Sequence, residues 1–234
     1  MLPAPSVAYG MPNRPAILLD LDGTLTDSVY QHALAWRTAL ELGGISLSVW
    51  RIHRRIGMSG GLLAESLARE TGRELTDKEA DKMKEAHAKS FAAQMGDVRL
   101  LPGAKDLMRH LTKMHVPWAV ATSGALASAR PLLKLIDVPP GVPVITRDDV
   151  EYAKPNPDLW LAAAARLAVS PESAIAVGDS VWDLLAARRA RALGVGLLTG
   201  GYGQEELERA GAYRVYEDPA DLLLHIDELG IRGD

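Results

Sequence analysis

Four short stretches of the chain carry residue types that can do chemistry, and each follows an apolar run. ILLDLDGTLTDS (17–28) sets two carboxylates, Asp20 and Asp22, one residue apart before Gly23. TSG brings Thr122, Ser123 and Gly124 after WAVA, AKPNPD holds Lys154, and GDSVWD holds Asp179 and Asp183. In an extended segment residues i and i+2 face the same side, so Asp20 and Asp22 point together while Leu21 turns to the core. Neighbouring negative charges repel, and something outside the chain has to offset them. Carboxylates with few other polar ligands select Mg²⁺, a hard cation. Hydroxyl and N–H groups at the start of a helix suit a phosphate, and a lysine held by the following proline offers a fixed positive charge.

Each stretch also has a plainer reading. Asp-Gly between apolar residues signals a hairpin turn, although a helix, not a paired strand, is expected next. A calcium loop needs glycine sixth and glutamate twelfth, whereas here glycine is fourth and Gln31 twelfth. Thr122 and Ser123 can be helix caps, Lys154 a solvated loop residue, and Asp179 a helix cap. Taken together, the four supply carboxylates, one lysine and an anion cradle, all just beyond strands.

The elements that must hold them can be read from periodicity. AILLD (16–20), VPWAVATS, GVPVIT, SAIAVGDS, GVGLLTG and YRVYE read as strands. Helices are expected between them, among them NPDLWLAAAARLA with Asn156 as cap and Pro157 at its first position, and PADLLLHIDELG last. Alternating strands and helices imply an α/β fold, a doubly wound parallel sheet of Rossmann-like type. Residues 28–96 interrupt this with helices alone, the last starting at a Thr76 cap. The expected division is a tail at 1–14, an α/β core from 15–27 and 97–234, and an inserted helical cap at 28–96. Ligands in such sheets sit beyond the carboxyl ends of the strands, the edge from which the insert leaves.

Composition narrows the function classes. The 234 residues are 47% hydrophobic and 24% charged, the balance of a globular protein. A net charge of −4 argues against a nucleic-acid or anionic-membrane binder. The absence of cysteine removes disulfides and thiolate chemistry. No apolar run approaches the length of about 20 residues that spans a bilayer. The first fifteen residues carry four prolines and do not read as a signal peptide, with Met11 an alternative start, so a cytoplasmic location is expected.

The four motifs in order, DLDGTLTDS, TSG, KPNPD and GDSVWD, together with the site of the insert, resemble the haloacid dehalogenase-like hydrolase superfamily. Within it the chain is similar to phosphatases with a helical cap after the first motif, the group of phosphoglycolate phosphatase and β-phosphoglucomutase. The resemblance implies an aspartyl-phosphate mechanism with Asp20 as nucleophile and Asp22 as general acid and base. It implies that Thr122, with the backbone at Ser123 and Gly124, holds phosphoryl oxygens while Lys154 offsets negative charge. It assigns Mg²⁺ to Asp20, the Asp22 backbone carbonyl, Asp179 and Asp183. The expected substrate is a small phosphorylated metabolite, such as phosphoglycolate or a sugar phosphate, acted on by a monomer or homodimer.

In the insert, His32 is placed to face the site or to serve as a packing residue. Arg51, Arg54 and Arg55 precede a Gly57–Gly61 loop; Arg55 is expected to touch substrate, the alternative being a solvated face with a salt bridge from cap to core. Trp36 and Trp50 read as the core of the cap. The stretch GVGLLTGGYG is not a dinucleotide fingerprint, because Thr199 stands where the third glycine belongs. Two other functions stay open. The mutase pattern carries Arg at Gly60, an acid at Tyr30 and Glu at Gly178, so this chain departs from it. A non-catalytic phospholigand-binding protein is the other. Dehalogenase and phosphonatase activities are disfavoured by Asp22.

Overall fold

The structure, a computed structural model, describes residues 15–232. The expected tail at 1–14 lies outside the described residues. β1 (Ala16–Leu19) leads through a tight loop to a two-residue strand, β2 (Thr26–Asp27). Four helices follow: α1 (Val29–Leu42), α2 (Val49–His53), α3 (Gly60–Glu70) and α4 (Asp77–Gln94). β3 (Arg99–Leu100) then returns antiparallel to β2. From there the chain alternates through α5 (Ala104–Lys113), β4 (Trp118–Ala121), α6 (Leu126–Ile136), β5 (Val144–Ile145) and α7 (Asp158–Arg166). It continues with β6 (Ala174–Gly178), α8 (Val181–Ala190), β7 (Leu193–Leu197), α9 (Gln204–Ala210), β8 (Ala212–Tyr216) and α10 (Pro219–Leu224).

Six strands pair in parallel in the order β5-β4-β1-β6-β7-β8. The chain builds outward from β1 to one side and then from β6 to the other, so strand order reverses between β1 and β6. That is where a crevice opens at the carboxyl ends in a doubly wound sheet. Alternate side chains of β1 serve opposite layers. Ile17 and Leu19 join a core with Leu107 of α5, Leu132 of α6 and Leu222 of α10. Ala16 and Leu18 face Trp160 and Ala163 of α7 and Ala187 of α8. This second layer is rich in alanine, which lets two helices lie close to the sheet.

The helical segment has its own core, in which Trp36 and Leu40 of α1 meet Ile52, Leu63, Leu67 and Met83. Thr76 caps α4 through a reciprocal pair with Glu79, as its sequence predicts. Trp50 is different: it is 63% exposed, with the Arg51 guanidinium over its ring. α2 is only five residues long, and Ile52 takes its inward position. Asn156 does not cap α7 either, because Pro157 occupies that position and no side chain caps the helix. The final predicted helix breaks at His225 into α10 and a short turn at Ile226–Leu229. β2 and β3 were not predicted, since two-residue strands carry no periodicity. Their presence means that a short strand, not a helix, follows the Asp-Gly turn.

Candidate active site

The register of β1 and β6 sets Leu19 opposite Val177, and the Asp20 N–H donates to the Val177 carbonyl at 2.9 Å. Asp20 and Asp179 therefore leave adjacent strand ends. Gly23, at a left-handed φ of +81°, turns the chain away after Asp22. Ser180, not Asp179, caps α8, in a reciprocal pair with Asp183. That frees Asp179 and fixes Asp183, whose Oδ2 accepts from Ser180 N–H at 3.1 Å and Ser180 Oγ at 2.5 Å.

Carboxylate oxygens of Asp20, Asp179 and Asp183 lie within 4.8 Å of one another, and all three residues are buried. Lys154 is fully buried beside them. Its ammonium donates to Asp20 Oδ1 and to the Ala121 carbonyl, the latter at 3.2 Å, and lies 4.4 Å from the centre of the Trp160 ring. It also sits 2.6 Å from Asp183 Oδ1, a buried ion pair. Thr24 Oγ1 donates to Asp179 Oδ1 at 3.2 Å.

The electrostatics are incomplete. Burial, Asp183 and Asp22 push the Asp20 carboxyl up to about 7 even though Lys154 pulls it down. Burial, Asp183 and Asp20 raise Asp179 well above the carboxylate range. Burial works against the charge on Lys154, but Asp183 and Asp20 outweigh it and raise its pKa. Three carboxylates thus share one ammonium in a place shielded from water. The donor set is hard oxygen, and the space around Asp179 is kept clear. A Cβ at Gly23 would come 2.3 Å from Asp179 Oδ2, and one at Gly200 would come 2.0 Å from it. These residues fit a divalent cation.

Asp22 stands apart from that trio, its carboxylate turned to Ser28 Oγ at 2.6 Å and His32 Nε2 at 3.0 Å. Burial raises its carboxyl, but His32 and Ser28 outweigh this and hold it below the usual range. His32 Nδ1 meets His87 Nε2 at 3.0 Å, and His87 stacks on Trp36. Burial and the neighbouring His32 keep His87 well below the ordinary imidazole range. His87 lies on α4, 55 residues from His32; α4 carries a weak apolar stripe, and nothing in it marked this residue.

A cavity of about 790 Å³ opens above these groups, between the helical segment and the sheet. Asp20, Asp22, Thr122, Ser123, Gly124 and His32 line it, so the fold brings them together. Several are already engaged. Thr122 Oγ1 accepts from Gly124 N–H at 3.0 Å, and Ser123 Oγ donates to the Gly57 carbonyl at 2.8 Å. Arg55 is not brought to the cavity: it pairs with Glu70 at 2.5 Å, as Arg51 does at 3.3 Å. Arg54 pairs across to Glu206, and its carbonyl accepts from Trp182 Nε1 at 3.2 Å and Tyr202 OH at 3.1 Å. His53 Nε2 meets the Gly200 carbonyl at 2.8 Å. The 53–57 stretch is thereby fastened to the sheet side of the molecule.

Residues 15–191 match the haloacid dehalogenase-like hydrolase family. The chain belongs to that family. A hydrolase from Pseudomonas syringae of known structure superposes with a TM-score of 0.90 at 50% identity, covering 92% of this chain and 99% of its own. Hexitol phosphatase A of Escherichia coli (strain K12) is 31% identical over 165 residues, 70% of this chain and 73% of that protein. The β-phosphoglucomutase of Bacillus subtilis (strain 168) is 30% identical over 216 residues, 90% of this chain and 92% of that protein. This haloacid dehalogenase-like hydrolase therefore stands beside the family's phosphatases and phosphomutases. Among its described residues no helix is long and apolar enough to cross a membrane.

Proposed function

We propose that the chain is a Mg²⁺-dependent phosphatase that hydrolyses a small phosphorylated metabolite through an aspartyl-phosphate on Asp20. The observation that carries this reading is the gathering of Asp20, Asp179 and Asp183 at neighbouring strand ends with Lys154 on Asp20. Asp20, Asp179 and Asp183, with the Asp22 backbone carbonyl, would hold Mg²⁺. Bound there, the ion supplies positive charge that lets a carboxylate approach a phosphate dianion.

The remaining work falls to the chain. Lys154 holds one Asp20 oxygen and orients the carboxylate. An Asp20 oxygen attacks phosphorus, and the bond from phosphorus to the alcohol oxygen breaks as Asp22 delivers a proton to it. Asp22 must first gain that proton, and a dianion arriving beside it raises its affinity for one. Water then attacks phosphorus, Asp22 takes the water's proton, and the bond between Asp20 and phosphorus breaks. Among the described residues Thr122 Oγ1 accepts from Gly124 N–H and donates to none, which leaves its proton for a phosphoryl oxygen. Residues 28–96 would act as a cap that excludes water while the acyl-phosphate exists.

Mutase activity has one supporting observation, the B. subtilis relative. Two local features weigh against it. A Cβ at Gly60, where the mutase pattern has Arg, would lie 3.0 Å from the Trp36 ring. One at Gly178, where that pattern has Glu, would lie 2.3 Å from Asp183 Cγ. The position at Gly178 is already filled, and the one at Gly60 is tight. The test is phosphate release from p-nitrophenyl phosphate with Mg²⁺, expected in the wild type and lost in Asp20→Asn. Tight binding of phosphate esters without turnover would favour a non-catalytic binding protein. Isomerisation of a hexose 1-phosphate faster than its hydrolysis would favour a mutase.

A further inference from the structure

The phosphate end of the cavity is described above; the far end speaks to the alcohol that leaves. The ionisable lining comprises five carboxylates, Asp20, Asp22, Glu65, Glu85 and Asp148, and the imidazoles of His32 and His87, against two cations, Lys84 and Arg147. Lys84 is offset by Asp81 at 2.6 Å, whereas Arg147, whose Nη1 donates to the Val150 carbonyl at 2.5 Å, keeps its charge. Glu65 is in turn paired with Arg69 at 3.5 Å, which leaves Glu85 and Asp148 against Arg147 beyond the phosphate end. The arginines that could have reached in are committed elsewhere, Arg51 and Arg55 to Glu70 and Arg54 to Glu206. Lys154 is spent on Asp20 and Asp183. A carboxylate on the substrate would meet a rim with an excess of its own sign. The rim offers acceptors in quantity, which is what hydroxyl groups need. The volume of about 790 Å³ is also several times what a two-carbon phosphate ester fills.

Building on the phosphatase reading, we propose that the leaving alcohol is uncharged and polyhydroxylated, of polyol or sugar size, and that phosphate esters bearing a carboxylate are rejected. Glu65 of α3 and Glu85 of α4 are the specificity-determining residues at the rim, where they repel a second anion and accept from hydroxyls.

The decisive comparison is between D-glucitol 6-phosphate and D-gluconate 6-phosphate, which differ in one end group, CH₂OH against COO⁻. The wild type with Mg²⁺ is expected to show a specificity constant for the glucitol ester about tenfold or more above that for the gluconate ester, the scale of one unscreened like charge in a partly solvated cleft. Glu65→Lys combined with Glu85→Lys is expected to shrink that ratio to about threefold or less by improving the gluconate ester. Equal or better turnover of the gluconate ester by the wild type would overturn the inference while leaving the phosphatase reading intact. If no ester is hydrolysed, p-nitrophenyl phosphate included, the phosphatase reading has failed. Calorimetric titration of the two 6-phosphates into the wild type then decides the rim separately: tighter binding of the glucitol ester supports it, and equal binding, or none, overturns it.

Discussion

Substituting Gly200→Ala probes the cation site without touching any group that does chemistry. Its φ lies outside the left-handed region, so alanine can take the same backbone; at an open position such a change stabilises by about 0.4–1 kcal/mol. Here the added Cβ would stand 2.0 Å from Asp179 Oδ2 and 2.6 Å from the Asp179 carbonyl oxygen. Rotating the side chain relieves only the first contact, so the backbone at the tip of β6 must give as well. Opening the shorter contact to 3.0 Å displaces the carboxylate by about 1 Å, a misplacement that costs an active site about 100-fold in rate. The strain of overpacking is about 1–3 kcal/mol, which for a chain of this length lowers Tm by roughly 2–12 °C. Gly96→Ala, where nothing lies within 4 Å, is the matched control and should leave activity unchanged while Tm holds or rises slightly. The assay is the specificity constant on p-nitrophenyl phosphate across a Mg²⁺ titration, with Tm measured on the same samples. A Gly200→Ala enzyme within threefold of the wild type, with the same Mg²⁺ requirement, would refute the placement of Asp179 at the cation.

Lys154→Met keeps bulk but strands Asp20 and Asp183 without their ammonium; removing one side of a buried pair costs about 3–5 kcal/mol, so urea unfolding in EDTA should shift by that amount and activity should vanish. His87→Phe preserves the stack on Trp36 but deletes the contact that orients His32, and through it Asp22. Turnover of p-nitrophenyl phosphate should fall about tenfold with little change in Tm, and wild-type turnover would show that His87 does not orient His32 and Asp22. Glu206 is held below the ordinary carboxylate range by Arg54 and the Gly203 N–H. A depressed folded pKa means that its contribution is complete above the unfolded value of 4.5 and fades as pH falls below it. The pair is part exposed and screened, so Glu206→Gln should cost about 1 kcal/mol or less at pH 7, and the gap between the two proteins should narrow progressively as pH falls below 4.5.

What could be read in advance depended on range along the chain. Asp20 and Asp179 were legible because each follows a strand whose direction its own residues announce, and a parallel sheet delivers all such ends to one edge; Lys154 comes from the longer loop between β5 and α7. The trio's geometry added no information beyond that topology. Choices made between distant segments were silent. Arg55 had a free guanidinium in the sequence, but Glu70 on the next helix reaches it first. The Ser123 hydroxyl looked available for phosphate until the Gly57 carbonyl came within 2.8 Å. His87 belongs to a helix of weak apolar pattern and gains meaning only through a neighbour 55 residues earlier. Trp50 misled because bulk suggests burial, whereas a single-turn helix has room for few inward positions.

The ribbon of β2 and β3 has a consequence for how such a molecule diversifies. Outgoing and returning chains are zipped side by side at the stalk, Thr26 against Leu100 and Asp27 against Arg99. Whatever lies between them can lengthen, shrink or be exchanged with the sheet sensing no change in the span it must bridge. Reactive groups rooted below the stalk can then stay constant while the portion above it is redrawn for a new compound, so inheritance of chemistry and inheritance of selectivity run on separate tracks.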